Sequence, residues 1–325
     1  MKKILLALFA SSLVFAPAAE AAKKQRPAKA VASKAYRQAK PVTKPSRAAL
    51  RKQQIAHRVR AARYPAPEIS DDPTQLDLRS TSALVIEQGE GRTLFAKNVD
   101  VVVPIASITK LMTAMVVLDA KLDLREAVAI TDEDLDTVKH TRSRLKVGTV
   151  LTRDELLRLA LMASENRSAA ALARAYPGGS RAFVTAMNHK AYELGMVRTR
   201  FVDSTGLSSD NVSTAQDLAR MVVAAYRYPV IQEYTTSTGY VVHTNAGRPL
   251  AFSNSNGLVK DSTWHIDVSK TGYISEAGRC LVMQARIAAK PVIIVLLDSW
   301  GRYTRIGDAN RIKRWMEAAI AQPPG

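Results

Sequence analysis

The 325-residue chain has a single cysteine, Cys280, so no internal disulfide can brace it. Cys280 falls in the apolar run Cys280-Leu-Val-Met283, which suits a buried structural thiol. The five histidines (His57, His140, His189, His243 and His265) are scattered. None falls in an H-x-H or H-E-x-x-H spacing, which argues against a zinc enzyme, and no metal or cofactor is expected. Beyond the first residues, no stretch approaches the roughly 18 consecutive apolar residues of a membrane span. Acidic residues are missing from 23–63, where fourteen Lys and Arg accumulate. Of the net charge of +18, residues 1–22 carry +1 and this segment +14, leaving only +3 for residues 64–325. The basic character therefore belongs to an arm and not to the folded body.

Three segments follow from these shifts. Residues 1–22 read as a secretory signal peptide: Lys2 and Lys3, an apolar core from Ile4 to Phe15, and Ala19-Glu20-Ala21 as a cleavage signature. The expected location is the periplasm. Residues 23–66 form a basic arm with too little apolar content to offset ordering entropy, and disorder is expected there. Export argues against nucleic acid as its partner. An electrostatic contact of residues 23–63 with an anionic wall or membrane surface and a plain solvated spacer remain equal alternatives. Prolines and acids between Pro65 and Pro73 mark the boundary, and 67–325 suits one domain.

Within it, Thr81 to Gln88 and Arg92 to Lys97 predict a hairpin around Gly89-Glu-Gly91. An apolar helix follows Pro104. Thr152-Arg-Asp-Glu155 forms a capping box for a helix that ends near Ser164-Glu165-Asn166. Further helices are predicted over Ala169–Tyr176 and Ser180–Leu194, with Gly195 as a stop and another helix capped at Thr214. Trp264, Ile266 and Val268 alternate into Lys270-Thr271-Gly272, and Cys280–Ile287 and Pro291–Leu297 predict two more strands. Ala309, Ile312, Met316 and Ala319 mark a last helix. Strands at both ends with helices between predict an α/β fold: an antiparallel sheet flanked by helices, with an all-helical insert.

Ser107 and Lys110 stand one helical turn apart, near a helix N-terminus that favours developing negative charge. A desolvated Lys110 can serve as base for a Ser107 nucleophile. Taken alone the pair also fits an ordinary buried helix, and Ser143-Arg-Leu-Lys146 repeats the spacing by chance. Ser164 can relay a proton from Lys110 to a leaving amine, and Asn166 can orient Lys110 and hold a peptide group. Lys270 offers a cation for a substrate carboxylate, with the Thr271 hydroxyl beside it. Gly272 permits close backbone approach, and the N–H groups of Ser107 and Tyr273 form the expected oxyanion hole. Ser209-Asp210-Asn211 competes with Ser164-Glu165-Asn166 as the middle motif, being the closer string match. It lies in a turn-rich stretch, whereas Ser164 closes an apolar helix.

The order Ser107-x-x-Lys110, Ser164-Glu-Asn166 and Lys270-Thr-Gly272 is that of β-lactamases and penicillin-binding proteins. With Val103–Ala120, Leu159–Arg167, Tyr176-Pro-Gly-Gly179, Lys270–Tyr273 and Cys280–Met283, residues 78–320 resemble the low-molecular-mass penicillin-binding proteins of the serine D-Ala-D-Ala peptidase family. Among these, the chain looks most similar to the D-alanyl-D-alanine endopeptidases of the penicillin-binding protein 7 type. The resemblance implies a β-lactamase-like fold, an acyl-enzyme on Ser107, peptidoglycan as substrate and β-lactams as inhibitors. It also favours Ser164 over Ser209. The basic arm lies outside the family pattern, and the extra β-domain and C-terminal amphipathic helix of the carboxypeptidase branch are not expected. Alternative activities are a D,D-carboxypeptidase, a β-lactamase, or a non-catalytic basic wall-binding protein. The stretch 198–209 offers Asp203 but no Glu to activate a deacylating water, which speaks against efficient β-lactam turnover.

The arm generates a test. A truncation starting at Tyr64 keeps its activity on small soluble substrates but pellets less with purified sacculi at low salt, the difference fading as salt screens the charge. Equal pelleting of both forms at every salt concentration identifies the arm as a spacer.

Overall fold

A computed structural model describes residues 76–321, apart from 246 and 248. The expected signal peptide, the basic arm and the start of the catalytic domain lie outside the described residues. The chain runs β1 (Ser82–Glu87), β2 (Arg92–Lys97), β3 (Val103–Pro104), α1 (Thr109–Asp119), β4 (Ala127–Ala129), β5 (Val150–Thr152), α2 (Arg153–Met162), α3 (Asn166–Arg174) and α4 (Gly179–Glu193). It continues through β6 (Val212–Ser213), α5 (Ala215–Ala225), α6 (Pro229–Thr236), β7 (Gly239–Val242), β8 (Leu250–Ser253), β9 (His265–Ile274), β10 (Gly278–Ile287), β11 (Lys290–Ser299) and α7 (Thr304–Ala321). No helix of the described residues is long and apolar enough to cross a membrane.

Five strands make one antiparallel sheet in the order β2-β1-β11-β10-β9. The first strand thus pairs with the last, and everything between β2 and β9 is inserted. Both faces of the central strands are covered, so Val292 to Leu297 is buried without a break. Alternation then divides the side chains between two layers. The row Leu84, Val295, Val282 belongs to the core shared with the helical insert. The next row, Val85, Ile294, Met283, packs under α7 with Ala309, Ile312 and Met316. Val282 is in register with Lys270 on the edge strand β9. A lysine is therefore carried, by strand register alone, onto the face that meets the helices.

Several local signals act as expected. The Thr152–Glu155 capping box is formed, with Glu155 N–H donating to Thr152 Oγ1 at 3.1 Å and Thr152 N–H to Glu155 Oε2 at 2.9 Å. Gly195 stops α4 at φ +68°, and Thr214 Oγ1 caps α5. Other signals act differently. Pro104 does not open the apolar helix but pairs with Val212 in β3–β6, and a 3-10 turn over Ala106–Ile108 precedes α1. Ala106 has φ +48°, in the left-handed region, which interrupts any helix running back to Pro104. The helix expected from Ala169 starts at Asn166, with the Glu165 side chain accepting from Arg167 N–H at 3.3 Å. The helix α6, with Pro229 in its first turn, and the hairpin β7–β8 carried too short and too exposed a pattern to be read.

One buried carboxylate ties the ends of this sheet to α7. Asp308 accepts from Arg79 N–H at 3.0 Å, Ser80 N–H at 2.8 Å and Ser80 Oγ at 2.5 Å, while Ser80 Oγ meets Ser299 Oγ at 2.6 Å. Replacing Asp308 by Ala leaves two backbone donors without partners, and we expect a loss of about 3 kcal/mol in urea unfolding. Unchanged stability means that water replaces the carboxylate without cost.

Candidate active site

Ser107 sits half-buried in the 3-10 turn ahead of α1, and Lys110, one turn further on, is fully buried. Lys110 Nζ lies 2.8 Å from Ser107 Oγ, 2.7 Å from Asn166 Oδ1 and 2.6 Å from the Thr205 carbonyl oxygen. Two of these partners can only accept, whereas a serine hydroxyl can donate. A neutral amine fits the set: two N–H groups go to Asn166 and Thr205, and the nitrogen lone pair faces the Ser107 hydroxyl. Burial drives the amine toward that state, pushing its pKa down to about 7 against the opposing pull of Asp203, Glu165 and Asp136. Lys270 is also buried, and desolvation, the Lys110 charge and Arg305 hold its ammonium well below the usual lysine range.

Ser164 follows the end of α2 with φ +61°, a left-handed conformation that a serine adopts under constraint. Its Oγ accepts from Lys270 Nζ at 2.8 Å, and Lys270 also donates to the Thr271 carbonyl at 3.0 Å. The expected direct link from Lys110 to Ser164 is thus replaced by one from Lys270, because the register of β9 brings Lys270 to that hydroxyl. Asn166 opens α3 and donates from Nδ2 to Thr141 Oγ1 at 3.1 Å, on a loop shaped by Asp136. The Thr271 hydroxyl, expected to face a substrate carboxylate, donates to Ser255 Oγ at 2.8 Å. Gly272 presses on the Ser107 turn: a Cβ built there would lie 2.9 Å from the Ile105 oxygen and 3.1 Å from Ser107 N. That contact lays the end of β9 alongside the Ser107 N–H, with Tyr273 exposed at the rim.

Sequence reading missed the groups that hold Lys110 from behind. Asp203 accepts N–H bonds from Thr205 (2.6 Å), Gly206 (2.6 Å) and Ser208 (3.0 Å), as well as the Thr205 hydroxyl at 2.7 Å. Its carboxylate is thus used to fold a turn that aims the Thr205 carbonyl at Lys110. Gly206, at φ +79°, lies against the Ala106 carbonyl, where a Cβ would come to 2.0 Å. The string Asp203-Ser-Thr-Gly206 is an Asx-turn signal that can be read from sequence. Arg305 was also missed: from α7 its Nη1 donates to the Gly272 carbonyl at 3.1 Å.

The competing motifs fall elsewhere. Asn211 is buried and structural, with Nδ2 donating to Thr109 Oγ1 and the Asp203 carbonyl and Oδ1 accepting from Val202 and Asp203 N–H. Ser143 accepts from Leu145 N–H in an irregular loop, and Lys146 is exposed. Neither string gathers a nucleophile, an amine and a hydroxyl around one cleft.

The family model described as D-alanyl-D-alanine carboxypeptidase matches residues 69–301. A D-alanyl-D-alanine endopeptidase of Pseudomonas aeruginosa is 50% identical over 246 residues, which are 75% of this chain and 79% of the relative. One from Escherichia coli K12 is 44% identical over 251 residues, 77% of this chain and 81% of that protein. Among solved structures, penicillin-binding protein D2 of Listeria monocytogenes in its ampicillin-bound form is similar with a TM-score of 0.62 at 30% identity. The match covers 74% of this chain and 98% of the Listeria chain.

The burial of Lys110 fixes a pH dependence. Only the neutral amine can accept a proton, and its fraction grows as pH rises through about 7. Acylation by a fluorescent penicillin is expected to climb roughly tenfold between about pH 6 and about pH 8 and then to level off. Lys110→Arg, whose guanidinium stays protonated, is expected to remove the labelling at every pH. A flat profile for the wild-type protein assigns the base to another group.

Proposed function

The chain belongs to the D-alanyl-D-alanine carboxypeptidase family of serine peptidases, and on that premise we propose that it is a D-alanyl-D-alanine endopeptidase of peptidoglycan. The observation that carries this reading is the buried amine of Lys110, 2.8 Å from a serine hydroxyl and held by two fixed acceptors. Ser107 Oγ gives its proton to Lys110 and attacks the carbonyl of a D-alanyl residue. The N–H groups of Ser107 and Tyr273 receive the developing oxyanion. Lys110 hands that proton on through the Ser164 hydroxyl, which Lys270 holds in place, to the departing amine and is neutral again. Water then cleaves the acyl-enzyme with Lys110 as base, since Asp203 is committed to its turn. A β-lactam acylates the same oxygen.

Asn166 orients Lys110 and the substrate peptide group. Lys270 and Thr271 bind the carboxylate of the leaving side, whose charge favours the protonated Lys270 amine, and Gly272 lets the substrate backbone approach closely. Arg305 adds a second cation behind the same strand. The family model's printed description keeps a D,D-carboxypeptidase as the second reading. The two relatives above 40% identity carry the endopeptidase name, which favours the first. Export to the periplasm through residues 1–22 completes the proposal, with residues 23–63 serving either as an electrostatic contact to an anionic wall or membrane surface or as a plain spacer.

Crosslinked muropeptide dimers are expected to become monomers, with free pentapeptides trimmed much more slowly. In Lys270→Ala, dimer cleavage falls by at least ~100-fold in kcat/KM, as for the loss of a preorganised charge contact. Ser107→Ala abolishes both cleavage and penicillin labelling. Rapid shortening of pentapeptides with intact dimers makes the enzyme a carboxypeptidase.

A further inference from the structure

A group of exposed aromatic and cationic side chains borders the leaving side of the cleft, and the catalytic steps above do not use it. Strand register sets it out. Tyr273 on β9 pairs with Arg279 on β10, which pairs with Ser299 at the end of β11. From Ser299 the chain turns through Trp300-Gly301-Arg302-Tyr303 into α7. Two residues into that helix, Arg305 is bonded to the Gly272 carbonyl, the residue before Tyr273. Three adjacent strand ends and one helix start therefore meet at a single rim. Tyr273 is 57% exposed and Tyr303 69% exposed. The Arg279 guanidinium lies 4.5 Å over the Tyr273 ring and that of Arg302 5.4 Å over the Tyr303 ring. Arg279 lies close enough for its charge to push the Arg305 pKa down, after the larger effect of burial.

We propose that Arg279, Arg302 and Tyr303 form the docking surface for the second, leaving-side stem peptide of a crosslink, and so select dimers over free pentapeptides. The inference rests on the endopeptidase reading above. A free pentapeptide loses one D-alanine, whose only carboxylate is taken up at Lys270 and Thr271. A crosslink loses a whole second stem, which carries further carboxylates and extends past Tyr273. Arginines gathered at one rim complement that chain of carboxylates. Arginine suits the role because its planar fork pairs with carboxylates in two-point contacts and stacks on tyrosine. Aromatic faces beside it cover the peptide between charges.

The test compares the full-length protein with Arg302→Glu and with Arg279→Gln/Arg302→Glu, using purified muropeptide dimers, pentapeptide monomers and a fluorescent penicillin. Penicillin has no second stem, so its acylation rate and the thermal midpoint stay at wild-type values. The KM for dimers rises roughly 3- to 10-fold in the double variant, in line with two solvent-exposed charge pairs, while kcat holds. Pentapeptide trimming is unaffected, and added salt raises the wild-type KM for dimers but not that of the double variant. An unchanged KM for dimers in a double variant that still labels with penicillin overturns the surface and leaves the endopeptidase reading standing. If the wild-type protein leaves dimers intact while trimming pentapeptides, the endopeptidase reading itself falls, and the surface with it. A stem-free glycan fragment that competes with dimers in the wild-type protein but not in the double variant replaces the peptide by a sugar chain as occupant.

Discussion

An ammonium group buried without compensation costs several kcal/mol, and at Lys110 burial among three oxygens from three separate parts of the chain favours a neutral amine instead. Ser107 comes from the turn before α1, Asn166 from the first turn of α3, and the Thr205 carbonyl from a turn organised by Asp203. Each supplier is itself pinned. Thr113 Oγ1 donates to the Ser204 carbonyl at 2.7 Å, Ser204 Oγ to the Ala169 carbonyl at 2.9 Å, and Asn211 Nδ2 to Thr109 Oγ1 at 3.0 Å. The arrangement gives up solvation at one lysine in exchange for an amine near neutrality. Everything chemical about the site depends on that exchange.

The sheet contributes by register and by close approach. Lys270 reaches the helical face because it is in step with Val282, Val295 and Leu84. Gly272 and Gly206 then let β9 and the 203–208 turn close on Ala106 and Ser107 from two sides, in space that a Cβ would fill. Ala106 and Ser164 are both held at positive φ. Strained backbone at Ser164 and beside Ser107 persists because rigid neighbours over-determine it. The C-terminal helix extends the same logic outward, reaching Gly272 through Arg305, with Arg302 and Tyr303 in the turn just before it.

The two decoy strings show what separates a motif from a site. Ser143 and Lys146 have the spacing of Ser107 and Lys110 but lie in an irregular loop with an exposed lysine. Asn211 is as buried as any residue of the core, yet its four hydrogen bonds all hold backbone or Thr109 in position. Burial next to an acceptor set, rather than the string itself, distinguishes Lys110.

Amino-acid order alone determined the elements whose cause is local. The Thr152–Glu155 box, the Gly195 stop, the alternation into Lys270-Thr-Gly272 and the helical repeat from Ala309 to Met316 all act within a few residues, and all appear as read. The insertion of helices between paired first and last strands was legible for the same reason, since it follows from element order, but the insert is not all helical as expected: it also holds the short sheets β3–β6, β4–β5 and β7–β8. The three motif strings also named the residues that the fold gathers. Which partners those residues take was settled only in three dimensions. The transfer of Ser164 from Lys110 to Lys270, the use of Asp203 to aim the Thr205 carbonyl, and the reach of Arg305 to Gly272 join positions up to 106 residues apart. Hydrogen bonds of that kind depend on distances of a few tenths of an ångström between packed elements, and no sequence period encodes them.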